Sequence, residues 1–77
     1  MVTELRRLPN SAVAMAFGMC IQSELGTAPV GALSALADDL TRRGLLPELI
    51  EHLGPKTGHA VVIRINVDRV RARRAAG

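Results

Sequence analysis

The sequence predicts an α+β domain: a compact group of three helices followed by one C-terminal β-strand. Three observations carry that expectation. Residues 60–67 alternate, with Val61, Ile63, Ile65 and Val67 on one side and Val62, Arg64, Asn66 and then Asp68 on the other. A period of two rich in β-branched residues is the pattern of a half-buried strand. The segments before it repeat apolar residues at spacings of three and four, the period of a helix. Glycine and proline stand between them at Gly26, Pro29, Gly44, Pro47, Gly54 and Pro55, where helices stop and start.

Taken in order, residues 2–8 fit either a helical turn through Val2, Leu5 and Leu8 or an extended arm. Asn10 or Ser11 can cap a first long helix reaching about residue 25, with Gly26 to end it. That helix is apolar nearly all round, because Val13, Met15, Phe17, Met19 and Ile21 fall on different sides. A helix without a polar face belongs inside a core or between subunits. Thr27 and Pro29 open a second helix over 29–43. Its stripe is Val30, Leu33, Leu36, Ala37 and Leu40, and its solvated face carries the pairs Asp38–Arg42 and Asp39–Arg43. Such acid-first pairs contribute about 0.2–0.5 kcal/mol each.

Gly44 stops that helix and Pro47 starts a third over 46–53. Leu46, Leu49, Ile50 and Leu53 form its inner face, and Glu48, Glu51 and His52 its outer face. Residues 55–58 read as a loop leading into the strand. The chain divides into a single domain over 1–68 and a basic tail over 69–77; Asp68 can cap a last turn containing the arginines, or the tail is disordered.

A lone strand needs a lateral partner, because each unpaired buried backbone group costs about 1–3 kcal/mol. The partner is an N-terminal arm, another protein or a second copy. Two copies pair antiparallel about a twofold axis. Centring the register on Asn66 sets Arg64 opposite Asp68, whereas centring it on Arg64 opposes like charges. The expected interface is therefore Val61, Ile63, Arg64, Ile65, Asn66, Val67 and Asp68.

Bulk properties agree with association. The chain has 77 residues and one cysteine, so its core is small and no internal disulfide can staple it. Hydrophobic residues make up 48%, which is not a disordered composition. Phe17 is the one aromatic, so the usual platform for stacking single-stranded bases is missing. The net charge of +3 is uneven. Residues 1–58 carry five basic side chains against six acids, and residues 59–77 carry five arginines against Asp68.

A targeting segment is not expected. Arg6 and Arg7 precede an apolar run over 12–21, but Glu4, Pro9 and Gly18 interrupt the pattern and no clean cleavage site follows. Ten apolar residues are also short of the roughly 20 that cross a bilayer. The expectation is a soluble, cytoplasmic protein that does not engage membranes.

No catalytic, cofactor or metal site is expected. Cys20 sits in the most apolar stretch, where a thiol is held protonated and unreactive. Glu48 and His52 could make half a metal site, but zinc wants three or four ligands. His59 reads as an exposed loop residue. Residues 54–58 hold the residue types of a phosphate loop in the wrong order, since strand, turn and helix must follow one another in that sense. The helices flanking Gly44 suggest a helix-turn-helix, and three helices before a strand suggest a winged-helix outline. However, the second helix would offer Glu48, Glu51 and His52 to DNA, where arginine, lysine, asparagine and glutamine are the usual readers. Arg69, Arg71, Arg73 and Arg74, with Arg64, could neutralise several phosphates.

The expected function is a non-enzymatic protein–protein interaction or assembly module, homo-oligomeric through its C-terminal strand and an apolar helix face. The alternative is a small nucleic-acid-binding regulator that uses Arg69, Arg71, Arg73 and Arg74.

Overall fold

The computed structural model describes residues 2–22 and 29–76, with side chains from Leu5 onward. Five helices make up the described chain: α1 Val2–Arg7, α2 Asn10–Gln22, α3 Ala32–Arg42, α4 Leu46–Leu53 and α5 Pro55–Ala76. The domain is all-α, and no strand occurs among the described residues. The α+β expectation is overturned, and with it the winged-helix outline, the strand-paired dimer and the Asn66-centred register.

Residues 60–67 lie inside α5. Val61 and Ile65 are four apart, a spacing that a strand's period of two and a helix's period of 3.6 both place on one side. The burial pattern separates the two. Gly58, Val61 and Ile65 are buried, at steps of three and four. Ile63 and Val67 belong to the same supposed strand face, yet they stand exposed on the opposite side of the helix. A helix also removes the difficulty of the missing partner, because it satisfies its backbone within the segment. Packing of that stripe outweighs the modest helix penalty of valine and isoleucine.

The expected loop at 55–58 is the first turn of α5. Gly54 turns the chain with φ of 89°, and Pro55 takes the first helical position, where its missing N–H costs nothing. The Gly58 amide then bonds the Gly54 carbonyl at 2.8 Å. The 69–76 segment continues the same helix, so α5 runs unbroken across the boundary drawn at residue 68.

The third predicted helix matches α4. The second is shorter than expected, because Pro29, Val30 and Gly31 form a turn before α3 begins at Ala32. Thr27 and Gly26, the expected cap and stop, lie outside the described residues.

α3 is the central helix and contacts the other four. It supplies Leu33, Leu36, Ala37 and Leu40 to a core completed by Val13 and Phe17 of α2 and by Val61 and Ile65 of α5. Leu45, Leu46, Leu49, Ile50 and Leu53 pack at its margin. α5 meets α4 through Gly58, where an added Cβ would lie 3.0 Å from the Ile50 carbonyl oxygen and 3.1 Å from its Cγ2. Gly58→Val is therefore expected to destabilise the domain by at least about 1 kcal/mol, read as a lower urea midpoint. An unchanged midpoint would show that α4 and α5 are not seated this closely.

Candidate interaction surface

Four charged side chains are committed to holding helix ends and packing helices together. The Arg64 guanidinium, half-buried on α5, donates to the last-turn carbonyls of α2, at 2.6 Å to Ile21 and 3.3 Å to Cys20. One turn later, Asp68 accepts the amides of Gly31 and Ser34, both at 2.9 Å. These amides open α3, whose own N-cap, Gly31, has no side chain to offer. A cation thus sits at one helix C-terminus and a carboxylate at the next helix N-terminus, each favoured by the helix dipole. Burial pushes the Asp68 carboxyl up. The bonds from Gly31 and Ser34, with the charge of Arg71, outweigh that and hold it below the ordinary aspartate value.

The third anchor is Arg43 at the end of α3. It donates to Asp39 at 2.6 Å, to Asn10 Oδ1 at 2.8 Å, and to the carbonyls of Leu5 and Arg6 at 3.0 and 3.3 Å. It therefore ties α1 and the start of α2 to α3. Asp39 also accepts from Arg42 at 2.7 Å. The Arg42 bond lowers its pKa most; burial opposes this, and the bond and charge of Arg43 add to the lowering. The expected Asp38–Arg42 pair is replaced, because Asp38 pairs with Arg69 of α5 instead. Asp39 is the buried member of the two, not part of a solvated face.

The sequence-derived interface residues accordingly divide. Val61 and Ile65 are core, and Arg64 and Asp68 are internal caps. Ile63, Asn66 and Val67 remain on the outward face of α5. They are joined there by exposed Val62 and Val70. Of the proposed phosphate contacts, Arg69 is held by Asp38, whereas Arg71, Arg73 and Arg74 are exposed.

A second apolar surface lies on α2. This helix has no charged residue in its 13 positions. Val13 and Phe17 face the core, while Met15 and Met19 point away from it, 68% and 66% exposed. The expectation of a core-centred or interfacial helix is thus half realised within one chain: one side is buried and the other is open. Cys20 is half-buried; burial, and then the Asp68 charge, push its thiol up, against the smaller effect of Arg64.

Two open clefts have largely apolar walls. One, of about 350 Å³, lies where α4 meets α5 and is lined by Ile50, Glu51, Gly54, His59 and Val62 among others. The other, about 210 Å³, lies between α2 and α4 beside Ala14, Leu45 and Leu49. Glu48 and His52 stand on the exposed side of α4, and among the described residues no three His, Cys, Asp or Glu side chains converge as a metal site. No described helix is long and apolar enough to cross a membrane. No family model, curated protein or solved structure matches this chain.

Proposed function

We propose that this chain is a non-enzymatic protein–protein interaction module, acting in the cytoplasm and docking through open helix faces rather than a strand. The observation that carries the reading is α2: an uncharged helix that turns two methionines outward. A helix facing only water is ordinarily charged on its outer side. Methionine is suited to contact surfaces because its unbranched thioether adapts to the shape opposite. The non-enzymatic part is supported by the employment of the polar groups. Asp39, Asp68, Arg43 and Arg64 each hold a helix or a helix end, and in the cleft between α1 and α3 both carboxylates, Asp38 and Asp39, are already paired with arginines.

A photo-crosslinking side chain at position 15, in the full chain expressed in its native cells, is expected to give a discrete protein adduct. The same probe at exposed Glu48 should give none, and Met19→Asp should abolish the position-15 adduct while the helical content is retained. Absence of any adduct at position 15 would remove the basis of the reading.

The nucleic-acid reading retains Arg71, Arg73 and Arg74, with no wing among the described residues. Its would-be recognition helix, α4, still presents Glu48, Glu51 and His52.

A further inference from the structure

The outward face of α5 is a second open surface, and its pattern is specific enough to name an occupant. Ile63, Val67 and Val70 follow one another at steps of four and three, the seam spacing of helices that pack side by side. The inward stripe of Gly58, Val61 and Ile65 lies on the opposite side, so α5 is apolar on two faces. Arg73 and Arg74 stand exposed at its C-terminal end. At its N-terminal end, Glu51 of α4 shares the walls of one cleft with His59 and Val62.

We propose that α5 pairs with α5 of a second copy of this chain, antiparallel about a twofold axis near Val67. In that arrangement Ile63 of each copy meets Val70 of the other. Arg73 and Arg74 come beside the partner's cleft, where Glu51 is the acidic group. Lys56 is brought to the carbonyl end of the partner's α5, the negative end of its dipole. A parallel pair would instead stack the arginines of both copies against one another, so charge selects the antiparallel form. Glu51 thus gives the arginines an acidic neighbour at each end of the pair, as a twofold interface repeats each contact of a single surface. A 22-residue helix is about 33 Å long, and the stripe with its arginine stems and cleft spans most of it.

The proposal rests on the reading of the chain as an interaction module but uses a different helix, so the two can fail separately. Sedimentation equilibrium of the full chain should show a concentration-dependent dimer. Val67→Glu should weaken it at least about tenfold by placing a charge at the seam, and Met15→Glu should leave it unchanged. Val70→Glu serves as the second variant, with helical content followed for each. The double change R73E/R74E should weaken the dimer, and adding Glu51→Arg should restore part of it. A chain that stays monomeric at millimolar concentration overturns the proposal while leaving the α2 docking face standing. A dimer lost with Met15→Glu but kept with Val67→Glu overturns it as well and moves self-association to α2.

Discussion

At concentrations too dilute for two copies to pair, truncating Ile65 to alanine is expected to cost the domain about 2–4 kcal/mol, whereas truncating Ile63, two residues away, should change stability by no more than about 0.5 kcal/mol. Ile65 is 5% exposed and packs with Val61, Val13, Phe17 and the leucines of α3, while Ile63 is 49% exposed on the far side of α5. For a domain of this size, the larger loss corresponds to a fall in melting temperature of at least roughly 8 °C. Val61→Ala should behave like Ile65→Ala, and Val67→Ala like Ile63→Ala. A strand would put all four on one face and give them similar costs. Thermal melts of the four variants therefore read the secondary structure of this segment directly; equal losses would be incompatible with α5.

Asp68→Ala should produce the second large effect, a loss of about 2 kcal/mol near neutral pH. It removes the acceptor of two amides at the start of α3, and an N-cap contributes about 0.5–2 kcal/mol in itself. The loss should also depend on pH. The folded-state pKa of Asp68 is lowered, so its carboxylate stabilises the fold fully above its unfolded-state value of about 3.9. That contribution fades as pH falls below about 4 and is gone once pH passes below the lowered folded-state value. Asp39 follows the same sign, since its pKa is also lowered, and it remains in the variant. Urea unfolding of both proteins at pH 7 and pH 2.5 should therefore show a gap that narrows on acidification. A gap of the same size at both values would mean that the carboxylate charge is not what holds α3.

How much of this was legible in the sequence depends on how many elements a residue's role involves. α4 was readable because its leucines, its glycine stops and Pro47 agree on one answer. α3 was readable in its stripe but not at its start, because its capping carboxylate belongs to Asp68, 34 to 37 positions away. The 60–67 segment of α5 resembles a strand in sequence because Val61 and Ile65 satisfy both periodicities, and β-branched residues tilt a short apolar run toward strand. Its spare face made matters worse, since Ile63 and Val67 fill in the alternation that a one-sided helix would have left polar. The missing lateral partner was itself the sign of conflict, because a consistent sequence supports its fold at every level.

For the interaction surface, the sequence points to Val61, Ile63, Arg64, Ile65, Asn66, Val67 and Asp68 as one strand interface, and the fold divides them between core, helix caps and the open face of α5. A strand register centred on Asn66 sets Arg64 opposite Asp68 of a second copy. In the fold they are one turn apart on the same helix, each facing the end of a different neighbour. Exposure of Met15 and Met19 was foreshadowed by a helix with no polar side.

The placement of Arg64 and Asp68 bears on the order in which the molecule can assemble during synthesis. Until residues 64 and 68 have emerged from the ribosome, α2 lacks the donor for its final carbonyls and α3 lacks the acceptor for its opening amides. Before then, these tip groups have only water to bond, and Val13, Phe17 and the leucines of α3 lack the cover that Val61 and Ile65 give them in the folded domain. The groups that lock both helix tips therefore follow the helices they lock in the chain, and both tips close only when α5 packs against them.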